Sequence, residues 1–183
     1  MQATMQSVPS DTGQNLQPHR AALADLFHQQ KDRVFRSAYR ITGNSSDAED
    51  VLQTVFLRLA GQESVGEIRN LPAYLHRSAV NAALDVLRRR TETASLETEP
   101  CQADLKLVQR TDRDLELRDW LRRALSRLNP RWAEMFVLRF VEDYSNHEIA
   151  RMMGTSSAVV AVLLHRTRAR LKEDYVQMTR STP

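Results

Sequence analysis

Residues 124–171 read ALSRLNPRWAEMFVLRFVEDYSNHEIARMMGTSSAVVAVLLHRTRARL. Their punctuation predicts a run of helices that ends in a helix-turn-helix. Asn129-Pro130 pairs a capping residue with a first-turn proline and opens a helix holding Trp132, Phe136, Val137 and Phe140. Ser145-Asn146-His147-Glu148 fits a capping box, in which Ser145 and Glu148 each satisfy a free backbone N–H. It opens a short helix with Ile149, Ala150 and Met153. Gly154 makes the turn, and Ser156 caps a final helix through about Tyr175. A pair of this shape places its second helix in the DNA major groove, with the start of that helix at the base edges. A plain helical hairpin with a solvated basic face would show the same pattern.

Charge distribution supports a polyanion partner. Lys and Arg outnumber Asp and Glu 26 to 23. Arg151, Arg166, Arg168, Arg170 and Lys172 fall in a stretch without acids, whereas residues 94–119 are mainly acidic.

Upstream, Leu23, Leu26, Phe27, Val34, Ala38 and Ile41 recur at three- and four-residue steps, and Gly43 offers a stop. Ser46-Asp47-Ala48-Glu49 resembles a second capping box, followed by Val51, Leu52, Val55, Phe56 and Leu59 on one side. After an expected loop at Gly61–Leu71, Pro72 opens a helix to about Arg90, with Leu75, Ala79, Ala82 and Val86 inward. Leu117, Trp120, Leu121, Ala124, Leu125 and Leu128 form one more stripe. No stretch alternates as a strand does. The expected fold is therefore all-α: two small helical domains joined by a flexible linker, the C-terminal one a helix-turn-helix. The expected boundaries are a disordered tail at 1–18, a first domain at 19–92, a linker at 93–112, a second domain at 113–177 and a tail at 178–183.

Several classes lose support. The single cysteine, Cys101, cannot form an intramolecular disulfide and has no His or Cys nearby. The N-terminal stretch lacks a signal peptide's basic start and apolar core. The longest fully apolar run, Ala158–Leu164, is too short to span a bilayer, so no integral membrane protein is expected. The five His are scattered, and no catalytic or phosphate-binding pattern occurs, so neither an enzyme, a cofactor, a metal nor a small-molecule substrate is expected.

Three stretches in this order resemble the extracytoplasmic-function (ECF) class of bacterial sigma factors, over nearly everything from Arg20 to Tyr175. ITGNSSDAEDVLQTVFLRL is similar to the family's core-polymerase-binding helix, LPAYLHRSAVNAALDVLRRR to its promoter-melting helix, and residues 124–171 to its helix-turn-helix domain. The resemblance implies a cytoplasmic transcription initiation factor that brings RNA polymerase to promoter DNA, with an anti-sigma factor as a further partner. Asp47, Asp50 and Gln53 would meet core polymerase. Tyr74, Arg77, Asn81, Arg88, Arg89 and Arg90 would engage the minus-ten region, cations tracking the backbone and the aromatic stacking on bases. Asp85 would orient Arg88 or Arg89, and the 61–71 loop would cup a flipped base. Ser156, Ser157, Val159, Ala161, Val162, His165, Arg166 and Arg168 would face the minus-thirty-five element.

The chain departs from the family's pattern at several of these positions. Tyr74 replaces a usual Trp, and Val80 stands where Arg is common. Val159, Ala161, Val162 and Leu163 replace largely polar residues of the recognition helix. Such a helix either touches thymine methyl groups or is covered by protein. Two alternatives therefore stay open: a sigma mimic that sequesters an anti-sigma factor, and a stand-alone helix-turn-helix regulator.

Overall fold

A computed structural model describes residues 16–62, 68–94 and 112–181. All regular structure among them is helical: α1 (Leu16–Thr42), α2 (Ser45–Ala60), α3 (Leu71–Ala94), α4 (Asp112–Arg127), α5 (Pro130–Phe140), α6 (Asn146–Met153) and α7 (Ser157–Ser181). The expected N-terminal tail up to residue 15, most of the linker (95–111) and the heart of the 61–71 loop lie outside the described residues. Helix α1 begins at Leu16, inside the segment assigned to the tail, while α3 and α7 run on past Arg90 and Tyr175.

Helices α1, α2 and α3 share one apolar core. Val34, Ala38 and Ile41 meet Val51, Val55 and Leu59, with Leu75, Ala79 and Ala82 closing the third side. The rings of Phe27 and Phe56 meet edge to face at 4.9 Å. The start of α2 differs from the expectation. Asn44, not Ser46, caps it: its side chain accepts from the Asp47 N–H. Gly43, at φ +71°, ends α1 so abruptly that Asn44 is already extended and α2 starts two residues earlier. At α3 the side chain of Asn70 accepts from the Ala73 N–H just ahead of the helix body.

The apolar core continues into α4–α7 through Leu125, Leu128, Met135, Leu138, Ile149, Val160 and Leu164. Trp120 meets Tyr175 edge to face at 4.9 Å. The caps at Asn129 and Ser145 form as expected, the latter a complete capping box. Gly154 adopts φ +62° and turns the chain from α6 into α7. Leu117 and Phe140, expected in the apolar stripes, stand exposed instead; a regular apolar spacing does not show which turns of a helix end up covered.

Helix α3 joins the halves. It packs on α1 and α2 and also on α4, α5 and α6. Leu75, Ala79, Ala82 and Val86 are buried as expected. Val80, Leu84 and Leu87 are equally buried. They lie at helical steps between His76 and Thr91, both bonded to C-terminal residues. A helix apolar on two faces is covered on two faces. Burial of Val80 between the halves accounts for an apolar residue there.

Candidate nucleic-acid and polymerase interfaces

In α7 the hydroxyl of Ser156 accepts from the Val159 N–H at 3.2 Å and fixes the start of the helix. Val160 and Leu164 point into the core, as their spacing requires. Val159 and Val162 are 45% and 50% exposed. Ala161, His165, Arg166 and Arg168 are exposed as well, and Ser157 is half-buried. Val159, Val162 and Arg166 rise at helical steps, so apolar side chains and a cation share one outward face. Leu163 separates from this set and packs partly on the core.

In α2, Asp50 and Gln53 are exposed. Asp47 turns away from them to Arg90 of α3, 2.6 Å distant. Burial raises the Asp47 carboxyl above its ordinary value, and the Arg90 charge only partly opposes that. Leu57, one turn beyond Gln53, is 71% exposed. It edges an open groove between α1 and α2 lined also by Leu23, Phe27, Gln53 and Phe56. Sequence reasoning passed over Leu57; the available signal was a leucine lying off the α2 core stripe.

The α3 cations are dispersed. Tyr74 is half-buried and accepts from Gln62 Nε2 at 2.9 Å. Arg77 and Asn81 are brought together on one carboxylate, Glu134 of α5. Arg77 Nε donates to Glu134 Oε1 at 2.5 Å, and Asn81 Nδ2 donates to the same oxygen at 3.1 Å. Arg77 also donates to the Met152 carbonyl at 2.9 Å, in the last turn of α6 where carbonyls run out of helical partners. Farther along, Arg88 pairs with Asp85 at 2.7 Å, Arg89 is exposed, and Arg90 serves Asp47.

A second polar cluster crosses the same boundary. Asp143 takes a left-handed φ of +58° in the turn after α5, a conformation Asp tolerates. The turn delivers Glu142 and Tyr144 to His76 of α3. His76 Nε2 lies 2.6 Å from Glu142 Oε2, and Nδ1 lies 2.6 Å from the Tyr144 hydroxyl. Ser37 donates to Glu142 at 3.0 Å and Arg33 to the Tyr144 hydroxyl at 3.1 Å. Glu134, Glu142 and Tyr144 were not singled out in the sequence. Glu134 sits within an apolar helix yet is buried, and a carboxylate in such a stripe was the one hint available.

Comparison with known proteins places this geometry. Sigma-70 region 2 matches residues 26–93, and Sigma-70, region 4 matches residues 118–171. The chain is 35% identical over 149 residues to the RNA polymerase sigma-E factor of Streptomyces coelicolor, covering 80% of this chain and 81% of that protein. It is 32% identical over 156 residues to the ECF RNA polymerase sigma factor SigE of Mycolicibacterium smegmatis, covering 81% of this chain but 60% of that relative's length. In fold it is similar to the sigma factor RpoE of Bartonella quintana, solved in complex with the anti-sigma factor NepR, at a TM-score of 0.51 and 19% identity over 83% of this chain and 95% of that one. Region 2 lies on α1–α3 and region 4 on α4–α7, and with these relatives beside it the chain belongs to the ECF sigma factors of RNA polymerase.

Proposed function

We propose that this chain directs core RNA polymerase to promoter DNA and helps to melt the minus-ten region. The observation that carries this reading is the outward face of α7, where exposed Val159, Ala161 and Val162 lead into Arg166 and Arg168. A covered, purely structural helix would not leave valines in water beside a row of arginines. The arginines supply salt-dependent phosphate affinity, and the apolar residues supply contact with thymine methyl groups at the minus-thirty-five element. Ser156, Ser157 and His165 flank that contact. Polymerase meets α2 through Asp50, Gln53 and the apolar shoulder of Leu57, with Asp47 acting mainly through Arg90. Tyr74, Arg77, Asn81 and Arg88–Arg90 engage the separated strand. The protein works in the cytoplasm with its polymerase, acts as a regulatory subunit and not as an enzyme, and has an anti-sigma factor as its third partner. Transcription in vitro with core polymerase and a genomic template pool tests the assignment: discrete transcripts that depend on this chain are expected, and none would be seen from a mimic or a stand-alone regulator.

A further inference from the structure

Ala158, Val159, Ala161 and Val162 are exposed in the opening turns of α7, and all four side chains are hydrocarbon. The other side chains of those turns are less available. Ser157 is half-buried, Leu163 packs partly on the core, and Val160 and Leu164 are buried. The Ser156 hydroxyl ahead of them is tied to the Val159 N–H. His165 is the first fully exposed side chain within α7 that can hydrogen-bond a base. The start of this helix is the part that meets base edges in a helix-turn-helix.

Base pairs are told apart in the major groove by their patterns of donors and acceptors. A hydrocarbon surface cannot answer such a pattern. It answers the apolar feature displayed there, a methyl group on C5 of a pyrimidine. Thymine carries that methyl, and so does cytosine once it is methylated at C5. In both bases the methyl stands at the same place on the groove edge. The two differ at C4, which bears an oxygen in thymine and an amino group in cytosine. No fully exposed side chain of these turns pairs with either group.

The charge beside this surface selects duplex DNA as its occupant. Arg166 lies one turn beyond Val162 and Arg170 one turn beyond Arg166, both exposed, as is Arg151 of α6. Duplex DNA offers methyl groups in a groove bordered by phosphates, which matches valines followed by arginines. The small side chains of Ala158 and Ala161 let the helix approach the groove closely.

We infer that α7 reads a C5 methyl group and not a base pair, so that 5-methylcytosine serves as well as thymine at the minus-thirty-five element. This rests on the reading of α7 as the helix that meets upstream DNA. It adds an input that the promoter sequence does not carry. A DNA cytosine-C5 methyltransferase acting at that position would strengthen the site, and an unmethylated copy of the same promoter would be the weaker one.

The test uses holoenzyme and a promoter fragment recovered by transcription in vitro. Uracil is placed at each thymine of the minus-thirty-five element in turn to find the contacted position. Four fragments are then compared at that position, with thymine or uracil opposite adenine and 5-methylcytosine or cytosine opposite guanine. Affinities should group by methyl: thymine with 5-methylcytosine, uracil with cytosine, the groups about fourfold apart for one buried methyl. Val159→Ala combined with Val162→Ala should merge the groups. Thermal melts of that variant should not move, since the two side chains are 45% and 50% exposed. Arg166→Ala should weaken all four fragments alike. Equal or weaker binding of 5-methylcytosine relative to cytosine, with thymine still preferred to uracil, would overturn the proposal and leave thymine recognition standing. Methyl grouping that survives the double variant would also overturn it, because another surface would then be the reader. No effect of uracil at any position would remove the thymine reading and the proposal with it. Absence of any recovered promoter would count against the assigned function itself, and the proposal would fall with it.

Discussion

His76 and Glu142 meet at 2.6 Å across the boundary between regions 2 and 4, with side chains only 3% and 5% exposed. Burial alone would push the Glu142 carboxyl up. The hydrogen bond and charge from His76, with Ser37 and Arg40, outweigh it and hold the group below its ordinary value of 4.5. A carboxyl depressed in the folded state stabilises that state fully above its unfolded value, and the contribution is lost as pH falls through the folded value. Urea midpoints of the wild-type chain should therefore hold steady just above pH 4.5 and decline below it. Glu142→Gln should lower stability at neutral pH by about 3 kcal/mol, because a buried partner is left behind, and should flatten the acid limb. An acid limb of unchanged steepness in the variant would contradict the assignment to Glu142.

On α2 the exposed pair and the turned-in acid should behave differently. Changing Asp50 and Gln53 together to Ala, or Leu57 to Asp, should weaken core-polymerase binding about tenfold, as expected of residues central to an interface. Unfolding midpoints should barely move, since all three side chains stand in water. Asp47→Ala should instead leave stability at neutral pH unchanged or slightly raised, because the burial of its carboxylate outweighs the Arg90 pair. Pull-downs with core enzyme and thermal melts on the same preparations separate the two outcomes.

At the upstream element the reading depends on methyl groups. Replacing thymine by uracil there removes the methyl and leaves every hydrogen-bonding group in place. Loss of one buried methyl contact should weaken holoenzyme binding about fourfold. Val162→Ala should weaken binding to thymine-bearing DNA and abolish its difference from uracil. Equal affinity for both DNAs in the wild-type protein would exclude this mode of recognition. Leu163→Lys should chiefly destabilise the fold, because Leu163 packs on the core.

Strand separation should depend on the end of α3. Arg89 is exposed there, and Arg89→Glu exchanges attraction for repulsion at the phosphates. Permanganate footprints should show melting reduced about tenfold while polymerase binding stays intact. The defect should shrink as salt screens the charge.

The fold was legible wherever one residue type has one use. Pro130, Gly154 and the Ser145–Glu148 pair each announce a helix boundary through a local mechanism, and each boundary lies where it was expected. The start of α2 was misplaced because Asn44 and Ser46 are both good caps, and the positive φ at Gly43 decided between them. For the candidate site the sequence named residues but not the contacts they make. Arg77, Asn81 and Arg88 share a stripe in the sequence. Arg88 meets the local Asp85 that the sequence offers, whereas Arg77 and Asn81 meet Glu134, 57 positions beyond Arg77. Pairings at that separation are set by how the two halves pack on α3, and no helical period reports them.

The buried side of α3 also bears on how long the protein lasts in a cell. When the halves part, Val80, Leu84 and Leu87 lose their cover, and at about 2 kcal/mol for each large side chain the cost is considerable. An opened chain without polymerase shows the sticky apolar strip that chaperones and proteases recognise. A free chain keeps the strip covered as long as its halves stay packed, so any change that loosens the seam along α3 would shorten the protein's life in the cell.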